Sequence, residues 1–395
     1  MSALAKLKET NTEASLWRRH IHAHPETAFE EFKTSDYVAK LLTAWGVEIH
    51  RGMAKTAVVG VIKGKTNKSG RAIGLRADMD ALNILEETNV QHCSTHEGKM
   101  HACGHDGHTA MLLAATRHLA ETRDFDGTVY AIFQPAEEGG GGGNVMVQEG
   151  FFKKFPCDAV FGMHNWPWLP AGTMSICAGP MTASTDSFIL KITGKGGHAA
   201  FPHSTIDVVT TAATIVTTLQ SLVSRNTDPA DSAVVSVCKF QAGTESLNVL
   251  PETVVLGGTA RSFKPEIRKM IEQGIRRIVK SVSEAYGATA DVEWRAGYPS
   301  VVNTAKETQL CWDVAMQIVG EKNVSKFTPT MGGEDFAYFL QNCPGAYIAL
   351  GQGKGTDSPG LHNPHYDFND DVLPVGAAYW VKLAETALAS KGEIS

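Results

Sequence analysis

The order of apolar and polar positions divides the chain into helical and extended stretches. Between residues 10 and 45, apolar side chains recur three or four positions apart, which predicts helix interrupted at His24-Pro25. Farther along, short and largely apolar runs are typical of buried strands. These runs are residues 57–62, 72–77, 128–133, 158–163 and 346–350. Because helical patterns lie between several of them, we predict an α/β fold.

Residues 186–298 follow a different order. Strand-like and helix-like runs alternate there as β-α-β-β-α-β, at residues 187–193, 207–223, 233–237, 252–257, 265–286 and 289–295. That order is typical of a ferredoxin-like unit. We therefore expect a catalytic domain formed by residues 1–185 and 299–395, with residues 186–298 inserted into it as an α+β domain.

Acidic and imidazole side chains stand directly after the predicted strands. They are Asp78, Asp80, Glu137, Glu138, His164 and, after a glycine-rich loop, His362. Open α/β sheets bind their ligands beyond the carboxyl ends of the strands. We therefore expect these groups to converge at one edge of the sheet.

The segment MHACGHDGHT at residues 100–109 combines a thiol, three imidazoles and a carboxylate directly before an apolar helical stretch. Cys103 and His105 flank one glycine, so both side chains can face a common point. Thiolate and neutral imidazole suit zinc and its neighbours among the divalent metals. The alternative is a turn containing cysteine and histidine that binds no metal.

Glu137 and Glu138 are adjacent and follow an apolar strand and Pro135. Hydrolysis at a metal needs one carboxylate on the metal and another that moves protons. A solvated acidic turn is the alternative, since exposed carboxylates are common. The preceding strand and the glycines at residues 139–143 favour the functional interpretation, because glycine permits unusual dihedrals and close approach of the backbone.

The remaining histidines have a weaker context. His101 and His108 are candidates for supporting the metal ligands. His198, in a glycine-rich turn of the inserted domain, is equally consistent with a functional group and with a plain loop. The others have no convergent context and are expected to be structural or surface residues: His20, His22, His50, His92, His96, His118, His203 and His365.

Composition narrows the classes of partner and compartment. The 395 residues carry a formal net charge of −6, which provides no basic footprint for nucleic acid. No stretch approaches the roughly 20 apolar residues of a membrane span. Seven irregularly spaced cysteines argue against a disulfide framework, and the N-terminus has no long apolar signal region. We expect a cytoplasmic protein that acts on a small molecule, not on a membrane.

Together the motifs resemble the amidohydrolase branch of the dinuclear aminoacylase and carboxypeptidase family, which includes hippurate hydrolases and indole-acetyl-amino-acid hydrolases. The resemblance covers nearly the whole chain in the right order. The motifs are MHACGHD at 100–106, QPAEE at 134–138, GMH at 162–164, GKGGHA at 194–199, NVLP at 248–251, GTARSF at 258–263, MGGEDF at 331–336 and LHNP at 361–364.

This resemblance implies a mixed-sheet catalytic domain holding two divalent ions, zinc or manganese, with cobalt or nickel as alternatives. The implied metal ligands are Cys103, His105, Glu138, His164 and His362, with Cys103 shared. Glu137 would be the general base, supported by Asp78, Asp80 and His101 around the ligands. The inserted domain would act as lid and dimerisation surface of a homodimer or higher homo-oligomer.

The same resemblance gives three residues of the inserted domain a role toward substrate. His198 would stabilise the oxyanion, in its own subunit or in the neighbouring one. Asn248 and Arg261 would hold the substrate, and the guanidinium fork of arginine suits a carboxylate.

The expected reaction is metal-dependent hydrolysis of the amide bond of N-acyl amino acids, such as hippurate-like or N-acetyl compounds. A metal-dependent dipeptidase or carboxypeptidase is the alternative within the same chemistry. From other classes, a catalytically silent small-molecule binder and a purely structural zinc site remain open.

Overall fold

The computed structural model describes residues 3–353, 355 and 358–389. The strands are β1 Glu48–Arg51, β2 Val58–Lys63, β3 Ala72–Asp78, β4 Thr128–Gln134, β5 Ala159–Pro170, β6 Met174–Ile176, β7 Gly179–Thr182, β8 Ser184–Thr193, β9 Gly197–His198, β10 Ala233–Ala242, β11 Val249–Leu250, β12 Thr253–Ser262, β13 Thr289–Ala296, β14 Val301–Asn303, β15 Val324–Lys326 and β16 Gly345–Gly353.

Eleven α-helices are present in the described residues. They are α1 Ala3–Glu9, α2 Asn11–Ala23, α3 Phe32–Ala44, α4 His105–Thr122, α5 Gly142–Gln148, α6 Phe151–Lys154, α7 Val208–Leu219, α8 Pro265–Ala285, α9 Ala305–Val319, α10 Ala337–Leu340 and α11 Leu373–Ala387. Within the described part of the chain, no helix combines the length and the apolar character needed to span a bilayer.

The described residues fold into two compact units. The first comprises those of Met1–Met181, Val301–Thr328 and Asp335–Ser395, and the second comprises Thr182–Ser300 and Pro329–Glu334.

An eight-stranded mixed sheet forms the centre of the first unit. Its strand order is β1-β2-β4-β3-β5-β16-β6-β15. The four central strands β4, β3, β5 and β16 are parallel, whereas β1 and β2 join one side antiparallel. Both β3 and β16 are buried along their whole length. Burial on both faces explains why these strands are mostly apolar in the sequence, with Arg76, Asp78 and Gln352 as the buried polar exceptions. The predicted α/β fold is confirmed.

Alternate residues of the central strands pack into two hydrophobic clusters. Phe161 and Ile348 belong to a cluster formed with helices α1 to α4, α9 and α11. Their chain neighbours Val160 and Tyr347 belong to a second cluster formed with α5, α6 and α10. Because side chains alternate across a strand, the two clusters mark the two faces of the sheet.

The register of the parallel strands aligns the chemically active residues. Asp78 at the end of β3 lies opposite Gln134 at the end of β4. Arg76 lies opposite Gly162 of β5, which brings His164 to the level of Asp78. The carboxyl ends of β3 and β4 therefore lie level with His164 inside β5, and the three strands present their side chains in one region of the sheet.

Several boundaries differ from the predicted ones. The helical stretch between residues 10 and 45 is interrupted at His24-Pro25 as predicted, because proline has no N–H to continue α2, but the interruption extends over residues 24–31. Strand β5 runs seven residues beyond its predicted end at 163, to Pro170. The short strands β1, β6 and β15, of three or four residues each, give too little periodicity to be predicted.

The second unit contains a four-stranded antiparallel sheet of order β10-β12-β8-β13. Helices α7 and α8 pack on it, and Phe188, Leu190 and Ile192 of β8 alternate into the core between them. The Asp207 carboxylate caps α7 by accepting from the N–H groups of Val209 and Thr210 at 2.9 and 3.1 Å. The predicted β-α-β-β-α-β order is present in this unit.

Replacing Leu350 by alanine tests the packing of the central sheet. Leu350 of β16 is 0% exposed, so Leu350→Ala should lower the free energy of unfolding by about 2–5 kcal/mol through lost burial and a cavity. Leu16→Ala is the matched control, because Leu16 is 60% exposed and should change stability by less than about 0.5 kcal/mol. Urea denaturation of metal-stripped protein measures both. Equal effects would contradict this account of the core.

Candidate metal centre

The loop before α4 places the thiol and the first imidazole side by side. Gly104 between them has φ of +92°, in the left-handed region that favours glycine. A Cβ added there would lie 2.5 Å from both the Asn165 amide oxygen and the Tyr366 hydroxyl. Only glycine fits, and it turns Cys103 and His105 toward the same point.

Two groups of three side chains share Cys103. The ligand atoms of Cys103, His105 and His164 lie within 4.8 Å of one another, as do those of Cys103, Glu138 and His362. These five residues are the ligands predicted from the sequence. Their arrangement has the form of two neighbouring cation sites with the thiol common to both.

His164 has the tautomer that a metal ligand requires. Its Nδ1 lies 2.7 Å from the carbonyl oxygen of Asn165, to which it donates. Its Nε2 lies 3.4 Å from the Cys103 sulfur. Burial, with the nearby His108 imidazole, lowers the pKa of His164 well below its usual value. The ring is therefore neutral at pH 7, with its Nε2 lone pair directed at the thiol.

His362 reaches the site through a strained backbone. Its φ of +61° is unusual for a residue with a side chain. The His362 N–H donates to the carbonyl of Ala102 at 2.8 Å, and its Nε2 lies 3.0 Å from Glu138 Oε1. Strain of this kind clusters at functional sites, where surrounding contacts maintain it.

Unpaired polar atoms test whether this cluster fits a cation. In the described ranges, the Nε2 of His105 is buried without a hydrogen-bond partner, and the buried Oε1 of Glu138 makes no hydrogen bond of good geometry although His362 Nε2 lies 3.0 Å from it. Such atoms are costly to bury unless something binds them. Thiolate, imidazole and carboxylate together suit first-row divalent metals. The residues present therefore fit a pair of divalent cations.

Asp80 connects two candidate ligands. Its Oδ1 lies 3.2 Å from Nδ1 of His105, and its Oδ2 accepts from the N–H of Glu138 at 2.8 Å. A carboxylate on the far nitrogen of a ligating histidine fixes the tautomer and the orientation of the ring. Asp80 thus contacts two of the ligands predicted from the sequence.

Asp78 is paired with side chains of its own surroundings. It lies 2.5 Å from Nδ1 of His108 and accepts from the Arg76 guanidinium at 2.7 Å. Arg76 also donates to Asp335 at 2.9 Å and to Gln134 at 2.8 Å. Protein groups therefore neutralise the charge of Asp78, and its Oδ2 lies 3.7 Å from Nε2 of His105. Asp78, His105 and His108 also form a group of three side chains whose ligand atoms lie within 4.8 Å of one another.

The ligand cluster binds protons tightly in the absence of metal. Burial alone would lower the pKa of His105, but the carboxylates of Asp78 and Asp80 outweigh it and raise that pKa to about 10. Burial raises the pKa of the Cys103 thiol well above its usual value, and the charge of Glu138 adds to this effect. Both ligands are protonated at neutral pH, so a cation must displace those protons.

Glu137 lies at the same cluster on a tight turn. Its carboxylate is buried, and one of its oxygens lies within 4.8 Å of a ring nitrogen of His105 and of a carboxylate oxygen of Glu138. The N–H of Asp335 donates to Glu137 Oε1 at 3.4 Å. Adjacent glutamates thus reach the same centre from one turn.

His101 is buried beside the cluster, and its position differs from that of Asp80. Among the described residues neither of its ring nitrogens has a hydrogen-bond partner. Burial lowers its pKa to about 4, so the ring is neutral at pH 7. Among the described residues, Asp78 is hydrogen-bonded to His108 and Asp80 to His105, whereas the His101 ring is hydrogen-bonded to neither histidine.

A second buried network was missed by the sequence analysis. His22, expected to have no convergent context, donates to Asp106 at 2.8 Å and lies 3.2 Å from Glu86. Arg18 contacts Asp106 at 3.3 Å and His92 at 2.9 Å. These contacts give His22 and His92 a convergent context that the sequence did not predict, because their partners lie far away in sequence, but both are structural residues. Asp106 directly follows His105, so this network supports the start of α4.

The substrate-binding candidates lie in the second unit. His198 ends β9 opposite Val249 of β11, and the N–H of Ala199 donates to the carbonyl of Asn248 at 2.9 Å. Arg261 lies on β12, in a different sheet of that unit, and is half-buried. Backbone pairing thus brings the segments of His198 and Asn248 together, whereas Arg261 lies on a strand of another sheet.

Comparison with known proteins identifies the family. The model of peptidase family M20/M25/M40 matches residues 74–386. The chain belongs to this family. It is 38% identical over 385 residues to the hippurate hydrolase of Campylobacter jejuni, covering 97% of this chain and 99% of that protein. It is also 38% identical over 404 residues to thermostable carboxypeptidase 1 of Saccharolobus solfataricus, covering 99% of each.

The fold of the chain is similar to that of a solved structure. The YXEP protein of Bacillus subtilis, described as a dinuclear metal-binding peptidase of the M20 family, superimposes with a TM-score of 0.84 at 34% identity. The match covers 96% of this chain and 99% of that one. The predicted family resemblance and the predicted class of fold are both confirmed.

Metal binding by this centre should release protons. Because Cys103 and His105 are protonated in the metal-free protein, Zn²⁺ or Mn²⁺ should displace one proton from each at pH 7. The apparent affinity should then fall about tenfold per released proton for each pH unit lowered. Calorimetric titrations in buffers of different ionisation enthalpy measure the number released, and Cys103→Ala should release one fewer. A binding enthalpy independent of buffer would contradict the protonation of both ligands.

Proposed function

We propose that this protein is a metal-dependent amidohydrolase that cleaves N-acyl amino acids into a carboxylic acid and a free amino acid. One observation carries the proposal: Glu137 and Glu138 reach a thiol and imidazole cluster from one turn, in a chain 38% identical over nearly its whole length to a hippurate hydrolase. Adjacent glutamates allow one carboxylate to bind metal while the other transfers protons.

The proposed cofactor is a pair of divalent ions. His105 and His164 would hold one ion, Glu138 and His362 the other, and Cys103 both. Bound ions supply Lewis acidity, which acidifies water and polarises the scissile carbonyl. Zinc or manganese fits this mixed donor set best, and cobalt and nickel are compatible with it.

Glu137 is the proposed general base. Its carboxylate takes a proton from the attacking water and afterwards delivers it to the departing amine nitrogen. Both transfers need a carboxylate near the ligands that is free to pick up and release a proton. Burial of Glu137 supports this role, because a water-excluding site strengthens the interactions that orient the base.

The second unit is proposed to complete substrate binding. His198 would donate to the developing oxyanion, in its own subunit or in the neighbouring one. Asn248 and Arg261 would hold the carboxylate of the amino acid product. The roles of residues 186–298 as a lid and as a dimerisation surface belong to the same proposal, which is supported by the family resemblance.

A cytoplasmic location is proposed as well. All seven cysteines are free, and thiols persist in reducing compartments.

The experiment that tests this function is release of free amino acid from a panel of substrates. Metal-stripped protein is assayed before and after addition of Zn²⁺, Mn²⁺ or Co²⁺, with N-benzoylglycine, N-acetyl amino acids and free dipeptides. Hydrolysis of the N-acyl compounds only with metal is the expected result. Faster hydrolysis of dipeptides would favour the dipeptidase or carboxypeptidase alternative. Stoichiometric metal without any product would contradict the proposal and favour a silent binder.

Replacing the base separates chemistry from metal binding. Glu137→Gln should lower kcat by about 10²–10⁴-fold, because the amide cannot accept the proton. Metal content should stay at the wild-type value, since Glu137 is not one of the five proposed ligands. Glu97→Gln, at an exposed position, controls for loss of a negative charge. Turnover near that of the wild type in Glu137→Gln would refute the assignment.

A further inference from the structure

Glu31 places a fully buried carboxylate between three chain segments. It is 0% exposed and directly precedes α3. Its Oε1 accepts from the N–H of Phe29 at 3.0 Å and from the N–H of Ala136 at 2.9 Å. Its Oε2 accepts from the hydroxyl of Thr56 at 2.7 Å. Residues 29–31, 54–57 and 134–138 are thus joined by one side chain.

Both backbone donors to Glu31 have a strained conformation. Phe29 has φ of +62° and Ala136 has φ of +56°. Residues with a side chain rarely adopt this region and stay there only when the surroundings hold them. Neither position is glycine, so the conformation depends on outside contacts. The carboxylate of Glu31 provides that contact at both positions.

Ala136 is hydrogen-bonded on both sides just before the two glutamates. It directly precedes Glu137, and its carbonyl accepts from the N–H of Gly142 at 3.0 Å while its N–H donates to Glu31. A Cβ at Gly142 would lie 1.8 Å from the carbonyl oxygen of Pro135, so the far side of the turn is also closely packed. The turn is therefore fixed from both sides, and the Glu31 carboxylate holds it at Ala136.

We propose that Glu31 is a positioning residue that holds the turn of residues 135–138 so that Glu137 and Glu138 face the metal centre. The inference rests on the proposed function for the roles of those two glutamates. Glu31 acts through the N–H of Ala136 and touches neither the reacting atoms nor the ligands.

The cost of burying Glu31 agrees with a positioning role. Burial raises its pKa to about 7, with a contribution from the charge of Asp80. Hydrogen bonds from Thr56 and Ala136 act in the opposite direction. A carboxylate in such a place is expensive unless its acceptor capacity is used. Here both oxygens are used.

Hydrogen exchange tests the inference without any assay of activity. Glu31→Met keeps the volume of the side chain and removes the acceptor. In metal-stripped protein, the peptide containing Ala136 should exchange at least tenfold faster in Glu31→Met than in the wild type. Glu31→Gln should exchange as the wild type does, because its amide oxygen still accepts both N–H groups and its amide nitrogen can donate to Thr56.

Glu26→Met is the matched control. Glu26 lies five residues earlier, and its carboxylate accepts from the N–H groups of Lys33 and Thr34 at 3.2 and 2.9 Å. Those contacts cap α3 and do not involve residues 134–138. Exchange of the peptide containing Ala136 should therefore be unchanged in Glu26→Met, although the variant also replaces a carboxylate that accepts backbone N–H groups by methionine.

Kinetics and metal affinity provide the second readout. Loss of orientation should lower kcat of Glu31→Met by about 10–100-fold with KM changed less than about threefold. Affinity for the more weakly bound divalent ion should fall by a similar factor. Glu31→Gln should restore both. If the substitution only lowered stability, the yield of folded protein would fall, but kcat per metal-loaded molecule would stay at the wild-type value.

The outcomes separate this inference from the proposed function. Wild-type exchange at Ala136 in Glu31→Met, or an equal acceleration in Glu26→Met, would overturn the inference even if the enzyme hydrolyses N-acyl amino acids. If no substrate is hydrolysed, the exchange and metal-affinity measurements still test the role of Glu31. If Glu31→Met does not accumulate as folded protein, Glu31→Ala takes its place with the same expectations.

Discussion

The edge of the central sheet depends on one buried guanidinium. Arg76 is inaccessible to solvent and donates to Asp78, Asp335 and Gln134 at 2.7–2.9 Å. Without the Arg76 guanidinium, the carboxylates of Asp78 and Asp335 would be buried with no positive partner. Removing one member of a buried ion pair costs about 3–5 kcal/mol of folding free energy. Asp78 can then orient His108, and Asp335 can hold the N–H of Gly143 at the start of α5. The positive charge of Arg76 thereby stabilises buried carboxylates next to the proposed metal ligands.

Around that guanidinium, carboxylates perform several different tasks within one small region. Asp80 orients His105 and the N–H of Glu138, whereas Glu31 holds the preceding turn. Glu138 directs its Oε1 into the cluster, 3.0 Å from His362 Nε2, and Glu137 lies beside it. The environment of each carboxylate, not its chemical type, therefore decides its role. A site assembled in this way can bind metal and transfer protons with adjacent residues of one turn.

The sequence predicts the sheet and the ligands because both leave local signals. Largely apolar runs reveal the buried strands, and Cys103, His105 and Glu138 lie in short, chemically distinctive segments next to them. Glu31 and His22 leave no such signal, since each looks like an ordinary polar residue of a helical region, and Arg76 interrupts an apolar run without revealing its partners. Their partners are distant: Arg76 and Asp335 are 259 residues apart, and Glu31 and Ala136 are 105 apart. Only the folded chain reveals these contacts.

The central claim is that five side chains hold two neighbouring cations with Cys103 between them. Anomalous X-ray diffraction from crystals loaded with Mn²⁺ or Zn²⁺ tests it most directly. The account predicts two peaks that both contact the Cys103 sulfur, one beside His105 and His164 and the other beside Glu138 and His362. A single peak, or a peak between Asp78 and His108 with the five ligands empty, would contradict it.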